Sequence, residues 1–482
     1  MSKTKIICTL GPATDNEDVL RAMILNGMSV ARINFSHQDH DTHKKRIEMV
    51  KKLRKELDIP VALLADTKGP EIRTGQFNPP KVELTAGQTF TLRTTNCVGD
   101  QNGCSISYTG LPQDVSRGSK ILIDDGLVEL HVESCTDTEI VCTVVNGGTL
   151  SNNKGVNVPG VHLSLPLLSS QDRSDIRFAV ENDCDFIAAS FTRDARDLNI
   201  IRTELDRLGN HDIRLIAKIE NAEGVANIDS ILEVADGVMV ARGDLGVEIP
   251  LEDIPVIQKL LIKKSFNAGK QVITATQMLE SMMKNPRPTR AEISDVANAI
   301  YDGTSAIMLS GETAAGAYPV EAVKTMSKIA DRTERAIDYT KRFRNREVDI
   351  FPNVTNAISH ATCTTAHDLG AAAIITVTKS GTTARMISKY RPSVPIVSCT
   401  TEPKVQRQMN LSWGVTPFMI DEKGNTDELF AAALEIATQH GLLKPGDLVV
   451  ITAGVPVGTS GTTNMLRVYV VGDPVVNVKQ SV

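Results

Sequence analysis

Aromatic residues and long apolar stretches are both scarce in this sequence, and each shortage excludes a class of function. Aromatic residues make up 4% of the chain, with a single tryptophan, so a stacking platform for single-stranded nucleic acid is not expected. No apolar run approaches the roughly 18 residues that a membrane-spanning helix needs. A strand-like run, Lys5–Leu10, begins the chain with no signal peptide before it, so we expect a cytoplasmic protein.

Paired cysteines and a strong net charge are also missing. The chain has eight cysteines, but no two of them form a Cys-x-x-Cys pair, which argues against a zinc site or a disulfide framework. The net charge of −6 gives no general attraction to nucleic acid or to anionic membranes. Neither is therefore expected as a partner, and any site for an anion must be local.

The chain is too long for a single hydrophobic core. It has 482 residues, whereas cores stop growing at about 250–300 residues. Apolar strand-like runs first alternate with amphipathic helical patterns, as in the strand Ser29–Phe35 and the helix predicted over 39–57. Between Lys68 and Leu167 short β-like segments separated by turns replace this alternation. The strand–helix alternation then resumes as far as Ile337.

Eight strand–helix units can be counted if the β-rich segment is an insertion after the third strand. Eight parallel units close into a (β/α)8 TIM barrel; a doubly wound open sheet is the alternative. The sequence thus predicts an α/β protein with a catalytic barrel over 1–69 and 168–340, an inserted small β-barrel over 70–167, and a C-terminal α/β domain over 341–482. The polar residues 341–350 are expected to form a linker.

The position of the insertion bears on function. A strand-to-helix connection lies at the carboxyl-end face of such a barrel, where these folds carry their chemistry. A domain of about a hundred residues inserted there can close over the site as a lid. A structural decoration away from the site is the alternative.

Six of the eight predicted barrel strands end in polar or charged residues. Residues two apart on a strand share a face, so these ends are expected to point into one mouth. A single polar strand end is usually structural, whereas six together predict an active site. The residues are Arg32, Asn34 and Ser36; Asp66 and Thr67; Lys218 and Glu220; Asp244; Thr274 and Thr276; and Ser310 and Glu312.

The residue types suggest a division of roles. Glu220 and Asp244 follow neighbouring strands and can place two carboxylates about one cation, which suits Mg²⁺ because it takes one or two carboxylates with waters and substrate oxygens. Arg32 and Lys218 supply positive charge for a phosphate or a carboxylate. Asp66, with nearby amide and hydroxyl oxygens, offers a pocket for a monovalent cation.

Two further cations belong to the insertion. Arg73 and Lys154 lie where a closing lid would reach a second phosphate group. A metal, fixed cations and a lid together indicate phosphoryl transfer, in which positioning and charge neutralisation do most of the catalysis. The sequence has neither a Gly-x-x-x-x-Gly-Lys-Ser/Thr loop nor a Gly-x-Gly-x-x-Gly turn after a strand, so a nucleotide would be held in another way.

Eight short segments closely resemble the pyruvate kinase family, and the resemblance covers essentially the whole chain. They follow the family order from the first barrel strand to the last. They are Arg32-Ile-Asn-Phe-Ser-His37, Asp66-Thr-Lys-Gly-Pro-Glu-Ile-Arg-Thr74, Lys154-Gly-Val-Asn157, Lys218-Ile-Glu-Asn221, Ala241-Arg-Gly-Asp-Leu-Gly246, Ala275-Thr-Gln-Met-Leu-Glu280, Pro288-Thr-Arg-Ala-Glu292 and Ser310-Gly-Glu-Thr313.

The resemblance implies transfer of the phosphoryl group of phosphoenolpyruvate to ADP, which gives pyruvate and ATP in the final step of glycolysis. By motif, Arg32 resembles the binder of the substrate phosphate, Lys218 the cation that stabilises the transferring group, and Thr276 a participant in the proton relay. The other assignments that the resemblance implies are Gly243, Asp244 and Thr276 for the substrate carboxylate; Glu220 and Asp244 for Mg²⁺ or Mn²⁺; Asn34, Ser36, Asp66 and Thr67 for K⁺; and Asn34, Phe35, Ser36, His37, Arg73 and Lys154 for ADP or ATP.

Two further properties follow from the resemblance alone. Family members with a glutamate at the position of Glu71 generally require K⁺, whereas a lysine there supplies the charge itself. We therefore expect K⁺ dependence. A homotetramer is also expected.

The C-terminal domain carries two loops rich in Gly and Thr. Thr378-Lys-Ser-Gly-Thr-Thr-Ala384 leads into a predicted helix and is a candidate phosphate cradle through Thr378, Ser380, Thr382 and Thr383. The second loop is Val455–Asn464. Both resemble the loops that hold a sugar-phosphate activator in the family; ordinary turns at a subunit contact are the alternative.

Two rival functions fit parts of the pattern. A metal-dependent aldolase or lyase on the same barrel would use Mg²⁺ and an arginine, but would need neither the lid cations nor a K⁺ pocket. A non-catalytic sugar-phosphate sensor would keep the C-terminal loops but would not need Lys218, Glu220, Asp244 and Thr276, which are all present. Formation of ATP from phosphoenolpyruvate and ADP separates these functions.

Overall fold

The first three strands of the barrel alternate with helices. The computed structural model of the chain describes residues 2–345, 353–455 and 463–472. Asn16 caps the first helix by accepting the amides of Asp18 and Val19, as expected for an asparagine at this position. The elements are β1 (Lys5–Thr9), a 3₁₀ turn (Pro12–Thr14), α1 (Glu17–Leu25), β2 (Met28–Asn34), α2 (His40–Glu56) and β3 (Ala62–Asp66).

The inserted domain follows β3 and is almost entirely made of strands. Seven of them form one sheet in the order β4-β12-β8-β9-β10-β6-β7, and β11 pairs with β5. Alternate residues of these strands bury a separate apolar core, as half-buried strands do. The elements are β4 (Ile72–Arg73), β5 (Lys81–Leu84), β6 (Thr89–Arg93), β7 (Gly103–Ser105), α3 (Leu111–Asp114), β8 (Lys120–Ile123), β9 (Val128–Cys135), β10 (Glu139–Asn146), β11 (Gly148–Ser151) and β12 (Gly155–Asn157).

Five more strands complete the barrel. All eight are parallel and close in the order β1-β17-β16-β15-β14-β13-β3-β2, which confirms the predicted (β/α)8 fold. The elements are α4 (Ser170–Glu181), β13 (Phe186–Ala189), α5 (Ala195–Arg207), β14 (Arg214–Ile219), α6 (Ala222–Ala226), α7 (Ile228–Val234), β15 (Gly237–Ala241), α8 (Arg242–Glu248), a 3₁₀ turn (Leu251–Asp253), α9 (Ile254–Asn267), β16 (Gln271–Ala275), a 3₁₀ turn (Glu280–Met283), α10 (Arg290–Asp302), β17 (Ala306–Leu309), α11 (Gly311–Ala314), α12 (Pro319–Glu334) and α13 (Tyr339–Arg344).

The barrel strands are buried on both faces, which is why they appear as continuous apolar runs. One face packs against the surrounding helices in a large core. The other fills the barrel interior with small and branched side chains, a packed plug rather than a pore. The plug consists of Ile7, Val30, Ala62, Leu64, Phe186, Ala188, Ile216, Met239, Ile273, Ala275, Ala306 and Met308, together with Leu411 from the C-terminal domain.

The C-terminal domain is a five-stranded sheet with flanking helices. Its strand order is β20-β19-β18-β21-β22, parallel except for the edge pair of β21 and β22. The linker predicted over 341–350 is in part helical, because α13 extends to Arg344, while 346–352 lie outside the described residues. The elements are α14 (Val354–Asp368), β18 (Ala373–Val377), α15 (Thr382–Lys389), β19 (Ile396–Thr400), α16 (Pro403–Met409), β20 (Val415–Met419), α17 (Thr426–Gln439), β21 (Leu448–Ala453) and β22 (Met465–Val470).

The base of the barrel rests on the C-terminal domain through α16 and the segment that follows it. Arg407 binds the fully buried Asp185, just before β13, with 2.8 Å between Nε and Oδ1. The Asn410 amide donates to the carbonyls of Ser29 and Pro60 at the starts of two other strands. These contacts cover the amino ends of the strands, so the opposite end forms the mouth. Among the described residues, no helix is both long and apolar enough to cross a membrane.

Candidate active site

Polar side chains stand directly above the apolar plug. In five strands the inward-facing position two residues beyond a plug residue is polar, as the period of a strand requires. The plug residues concerned are Ile7, Val30, Leu64, Ala188 and Ile216. The polar residues above them are Thr9, Arg32, Asp66, Ser190 and Lys218, all of them buried.

Asp66 lies at the centre of this polar layer and binds two cations. Its Oδ2 lies 2.6 Å from Nε of Arg32, and its Oδ1 lies 3.0 Å from Nζ of Lys218. Arg32 also donates through Nη1 to the hydroxyl of Thr9 at 2.9 Å. Lys218 further donates to Ser190 Oγ at 2.7 Å and contacts Glu220 Oε1 at 2.9 Å. The layer therefore holds two fixed cations side by side at the mouth.

Burial and neighbouring charges set the ionisation of these groups. Burial opposes the charge of Lys218, but Asp66 and Glu220 outweigh it, so the pKa of this ammonium is raised. Burial also opposes ionisation of Asp66, yet Arg32 and Lys218 hold the pKa of that carboxyl below its ordinary value. Lys218 and Asp66 are consequently charged at neutral pH.

The pKa of Glu220 is shifted in the opposite direction from that of Asp66. Burial raises the pKa of Glu220 to about 7, the negative charge of Asp244 adds to this, and Lys218 opposes it. Glu220 Oε2 also accepts the backbone amide of Phe191 at 2.6 Å. Two neighbouring carboxylates of this kind are suited to a divalent cation, which relieves their repulsion.

The donor set at Glu220 and Asp244 fits Mg²⁺ better than a softer metal. Asp244 lies in the first turn of α8, directly after β15, so the two carboxylates follow adjacent strands. Among the described residues, no group of three or more His, Cys, Asp or Glu is arranged to hold a metal. Mg²⁺ needs no such group, because it retains waters and binds substrate oxygens.

Thr276 and Gly243 form a corner beside the carboxylates. The Gly243 amide donates to Thr276 Oγ1 at 2.8 Å, and that hydroxyl donates to the Ala275 carbonyl at 2.7 Å. Thr276 has φ +68°, a conformation that costs free energy and is common at functional sites. Arg242 supports it by donating through Nη2 to the Thr276 carbonyl at 2.7 Å.

The predicted K⁺ residues lie together at the ends of β2 and β3. Asn34 Oδ1 accepts the Ser36 amide at 3.1 Å, and Asn34 pairs with Asp66 in the strand register. The Thr67 carbonyl accepts the Ser190 hydroxyl at 2.6 Å. The four residues therefore adjoin one another along the chain and across two paired strands, and both oxygens of Asp66 already contact Arg32 or Lys218.

A cleft of about 680 Å³ separates the inserted domain from the barrel mouth. Arg73 and Lys154 line it from the inserted domain and Asp244 lines it from the barrel. Arg73 pairs with Glu71 at 2.8 Å, and Lys154 pairs with Asp124 at 2.9 Å. The Arg73 guanidinium and the Lys154 ammonium thus face a cleft that is open to an anionic ligand.

The Asn34–His37 segment is only partly available to such a ligand. Its residues do not line the cleft. The Phe35 ring is buried and packs edge-on against His43 and Phe178, so that residue can offer only backbone atoms. His37 is exposed, and its carbonyl contacts Nε2 of His43 at 2.8 Å.

Two of the polar side chains at the strand ends, Thr274 and Glu312, do not point into the mouth. Thr274 faces away from the barrel interior, because its neighbours Ile273 and Ala275 occupy the plug; its hydroxyl donates to Thr304 at 3.0 Å. Glu312 is buried in α11, where its carboxylate accepts the amides of Leu279 at 3.0 Å and Ser310 at 2.7 Å. The expectation that these two side chains belong to the site is wrong.

Two residues of the polar layer, and one backbone amide beside it, were not predicted. Thr9 and Ser190 are small hydroxyl residues that bind Arg32 and Lys218. Phe191 contributes its backbone amide to Glu220 from a left-handed conformation, φ +54°. Continuing the inward alternation of β1 and β13 by one step would have identified the two hydroxyls, whereas no sequence signal marks the Phe191 amide.

The predicted phosphate cradle forms a compact turn at the start of α15. Thr378 Oγ1 accepts the amide of Gly381, and Ser380 Oγ contacts Thr382 Oγ1, both at 3.0 Å. Thr383 Oγ1 lies 2.8 Å from Thr463 Oγ1, which brings the end of the second Gly/Thr loop beside the first. Residues 456–462 of that second loop lie outside the described residues.

Comparison with known proteins agrees with this architecture. Residues 1–323 match the family described as "Pyruvate kinase, barrel domain", and residues 356–469 match "Pyruvate kinase, alpha/beta domain". The chain is 53% identical to a pyruvate kinase of Clostridium acetobutylicum over 472 residues, 98% of this chain and 100% of the relative. It is also 53% identical to a pyruvate kinase of Geobacillus stearothermophilus, covering 98% of this chain and 81% of the relative.

A solved structure gives the same result in three dimensions. The crystal structure of a pyruvate kinase from Cryptosporidium parvum superposes with a TM-score of 0.93 at 42% identity, covering 98% of this chain and 96% of that one. The family matches, the full-length relatives and this structural similarity agree with one another. The chain therefore belongs to the pyruvate kinase family and is a phosphotransferase.

Proposed function

We propose that this enzyme transfers the phosphoryl group of phosphoenolpyruvate to ADP and releases pyruvate and ATP. The observation that carries the proposal is the position of the Lys218 ammonium, which is buried at the mouth and bound by Asp66, Ser190 and Glu220. A cation fixed in this way costs no reorganisation when charge develops on a transferring phosphoryl group. The full-length similarity to pyruvate kinases supports the same reaction.

Arg32 and Lys218 are proposed to hold the substrate phosphate. Arg32 uses Nε for Asp66 and Nη1 for Thr9, and a guanidinium carries five N–H donors, so donors remain for phosphate oxygens. Lys218 supplies a compact charge beside it. Together they bind the dianion in the ground state and offset the charge of the three phosphoryl oxygens during transfer.

Gly243 and Thr276 are proposed to orient the rest of the substrate. The amides of the first turn of α8 carry partial positive charge, which suits the substrate carboxylate near Gly243 and Asp244. The Thr276 hydroxyl lies in the same corner. After transfer, the enolate carbon takes up a proton, and we propose that Thr276 belongs to the path that delivers it.

Glu220 and Asp244 are proposed to hold Mg²⁺ or Mn²⁺. The raised pKa of Glu220 supports this, because burial and the charge of Asp244 outweigh the nearby ammonium of Lys218. Bound there, the divalent cation neutralises charge on substrate oxygens. Asn34, Ser36, Asp66 and Thr67 are the proposed K⁺ residues, and the pairing of Asn34 with Asp66 across neighbouring strands supports the assignment.

The cleft above Asp244 is proposed to bind the nucleotide. Arg73 and Lys154 face it from the inserted domain, so closure of that domain would bring two cations to the ADP phosphates. Asn34, Ser36 and His37, with the backbone of Phe35, are the remaining proposed nucleotide contacts; they lie outside the lining of the cleft. Closure would also exclude water, which would otherwise take the phosphoryl group.

A sugar phosphate is proposed to activate the enzyme through the C-terminal domain. Thr378, Ser380, Thr382 and Thr383 form a hydroxyl-lined turn at the amino end of α15, the type of site that binds phosphate through backbone amides and the helix dipole. The contact between Thr383 and Thr463 supports a site shared by both Gly/Thr loops.

A homotetramer in the cytoplasm is also proposed. Three large apolar side chains near α9 are exposed, Leu251 by 71%, Val256 by 66% and Leu260 by 41%. Val256 and Leu260 are four residues apart and share a helix face, and exposed apolar patches of this kind mark subunit contacts. All eight cysteines are free thiols, which suits a reducing compartment.

Initial rates with phosphoenolpyruvate, ADP, Mg²⁺ and K⁺ test the proposed reaction. Pyruvate and ATP are quantified separately, with and without ADP. Equal amounts of both products, formed only when ADP is present, are expected. Pyruvate formed without ADP would indicate hydrolysis or lyase chemistry and would contradict the proposal.

A further inference from the structure

Two short chain segments connect the inserted domain to the barrel, and one buried carboxylate binds both. The first connection follows β3 and includes Gly69; the second ends at Ser169, before α4. Asp172, in the first turn of α4, is fully buried. Its Oδ1 accepts the Gly69 amide at 3.0 Å, and its Oδ2 accepts the amide and hydroxyl of Ser169 at 2.9 and 2.6 Å.

The hydrogen bonds of Asp172 to Ser169 and to Gly69 have different structural roles. The Ser169 contacts are a capping box, since the Ser169 hydroxyl also accepts the Asp172 amide at 3.0 Å, and a capping box needs nothing outside the helix. The bond to Gly69 spans 103 residues of sequence and adds nothing to the cap. It fixes the first connection against the second.

The first connection packs directly against the polar layer. Gly69 has φ +72°, and a Cβ there would lie 2.8 Å from Ser190 Cβ and 3.0 Å from the Phe191 ring. The Ser190 hydroxyl donates to the Thr67 carbonyl and accepts from Lys218, while the Phe191 amide binds Glu220. The peptide that orients Lys218 and Glu220 is thus in contact with the connection to the inserted domain.

The second connection is held from the same side. Arg193, two residues beyond Phe191, donates through Nη1 to the carbonyls of Leu163 at 3.0 Å and Leu165 at 3.3 Å. Asp197 orients this guanidinium through Nη2 at 3.0 Å. Both connections are therefore attached to the segment that follows β13, and Asp172 joins them to each other.

We propose that Asp172 is a positioning residue that sets how the inserted domain stands over the mouth. Through Gly69 it orients the first connection, and with it the approach of Arg73 and Lys154 to the side of the cleft that Asp244 lines. The inference rests on the proposed function in one respect, that the cleft receives the nucleotide. Loss of the Asp172 carboxylate is expected to leave Arg32 and Lys218 in place and to misplace Arg73 and Lys154.

Kinetics of Asp172→Ala and Ser169→Ala separate positioning from capping. Asp172→Ala removes the bond to Gly69 and half of the capping box, whereas Ser169→Ala removes the cap and keeps the bond. We expect Asp172→Ala to raise KM for ADP by about tenfold, because the nucleotide contacts lose their pre-organisation, with KM for phosphoenolpyruvate changed less than about twofold. Ser169→Ala is expected to keep both constants near those of the wild type.

Amide hydrogen exchange gives a readout that does not depend on activity. Peptides that contain Gly69 are expected to exchange faster in Asp172→Ala and at the wild-type rate in Ser169→Ala. Asp172→Asn, which retains one acceptor oxygen, is expected to fall between wild type and Asp172→Ala in both measurements. It also serves as the test variant if Asp172→Ala does not fold.

Equal effects of Asp172→Ala and Ser169→Ala on melting temperature, with KM for ADP and Gly69 exchange unchanged in both, would overturn the inference and leave Asp172 as a helix cap. A wild type that forms no ATP would refute the proposed function instead. In that case the exchange experiment still decides whether Asp172 holds the first connection.

Discussion

The ammonium of Lys218, in β14, lies 2.9 Å from Oε1 of Glu220, which is two residues further along the chain and directly follows that strand. A cation and a carboxylate two residues apart on a strand share a face by geometry alone. Different causes act on the two groups: the charges of Asp66 and Glu220 outweigh burial and raise the pKa of Lys218, whereas burial raises the pKa of Glu220 to about 7 although Lys218 opposes it. The site thus keeps its cation charged and holds a carboxylate that gains from binding a divalent ion.

Removal of the Lys218 charge is expected to abolish most turnover. In Lys218→Met we predict a fall in kcat of about 10²–10³-fold or more, because a fixed charge that stabilises the transition state is lost. The measurement is the initial rate at saturating substrates, with circular dichroism to show that the variant is folded. Lys264→Met, which removes an ammonium paired with Asp229 near the surface, is the control. Near-normal turnover of Lys218→Met would exclude Lys218 from catalysis.

Asp244→Asn is expected to weaken the use of Mg²⁺. We predict that the Mg²⁺ concentration for half-maximal rate rises by about tenfold or more, because even groups that only support a metal ligand contribute that much. Titration of Mg²⁺ at saturating substrates measures it. Asp253→Asn changes an exposed carboxylate nearby and serves as the control. An unchanged Mg²⁺ dependence of Asp244→Asn would contradict the ligand assignment.

Replacement of K⁺ by tetramethylammonium is expected to remove most of the activity. Glu71 lines the cleft and pairs with Arg73, so this position offers no cation of the kind that a lysine would provide. Glu71→Lys is predicted to be active without K⁺, whereas Glu71→Gln, which only removes the negative charge, is predicted to need it. Full activity of the wild type without K⁺ would refute the dependence.

Thr382→Glu is expected to abolish activation by a sugar phosphate and to leave the basal rate unchanged. A carboxylate at the start of α15 would occupy and repel the phosphate position, since Thr382 lies beside Ser380 in the cradle. Rates are compared across a panel of sugar phosphates at low phosphoenolpyruvate. Thr426→Glu makes the same change at the start of α17 and should keep the activation. Activation that persists in Thr382→Glu would place the effector elsewhere.

Arg407→Met is expected to destabilise the contact between barrel and C-terminal domain. Asp185 is fully buried, and burial raises its pKa although Arg407 opposes the shift. Loss of the partner leaves a buried charge unpaired, at a cost of about 3–5 kcal/mol. The melting temperature should therefore drop at pH 7.5.

The direction of the pKa shift of Asp185 determines how the stability lost in Arg407→Met depends on pH. Without Arg407 the folded-state pKa of Asp185 lies further above its unfolded value, so protonation restores stability as the pH falls through that folded value. The deficit in melting temperature should be smaller at pH 5.5 than at pH 7.5. Lys404→Met, whose partner Asp183 is half exposed, is the control. A deficit of equal size at both pH values would contradict the account.

The barrel was predictable because its strands carry strong local signals. The predicted strand Ser29–Phe35 and the helix predicted over 39–57 are found at Met28–Asn34 and His40–Glu56. The C-terminal domain was predicted less completely. Its edge strand Met465–Val470 is only partly buried along its length, so it lacks the apolar pattern that marks a central strand.

The site was predictable where large charged groups mark the end of a strand, as at Arg32, Asp66 and Lys218. Thr274 was misassigned because the phase of a buried strand cannot be read from residues that are apolar on both faces; Ile273 and Ala275 fix it only in three dimensions. Glu312 was misassigned because a carboxylate that accepts backbone amides resembles a catalytic one in sequence.

Phosphorus NMR of one mixture tests the central claim most directly. Phosphoenolpyruvate, ADP, Mg²⁺ and K⁺ are incubated with wild type or with Lys218→Met, and the phosphorus signals are followed over time. The account predicts that the phosphoenolpyruvate signal is replaced one for one by the γ-phosphate of ATP, and far more slowly in the variant. Inorganic phosphate in place of ATP, or the same rate in both proteins, would contradict it.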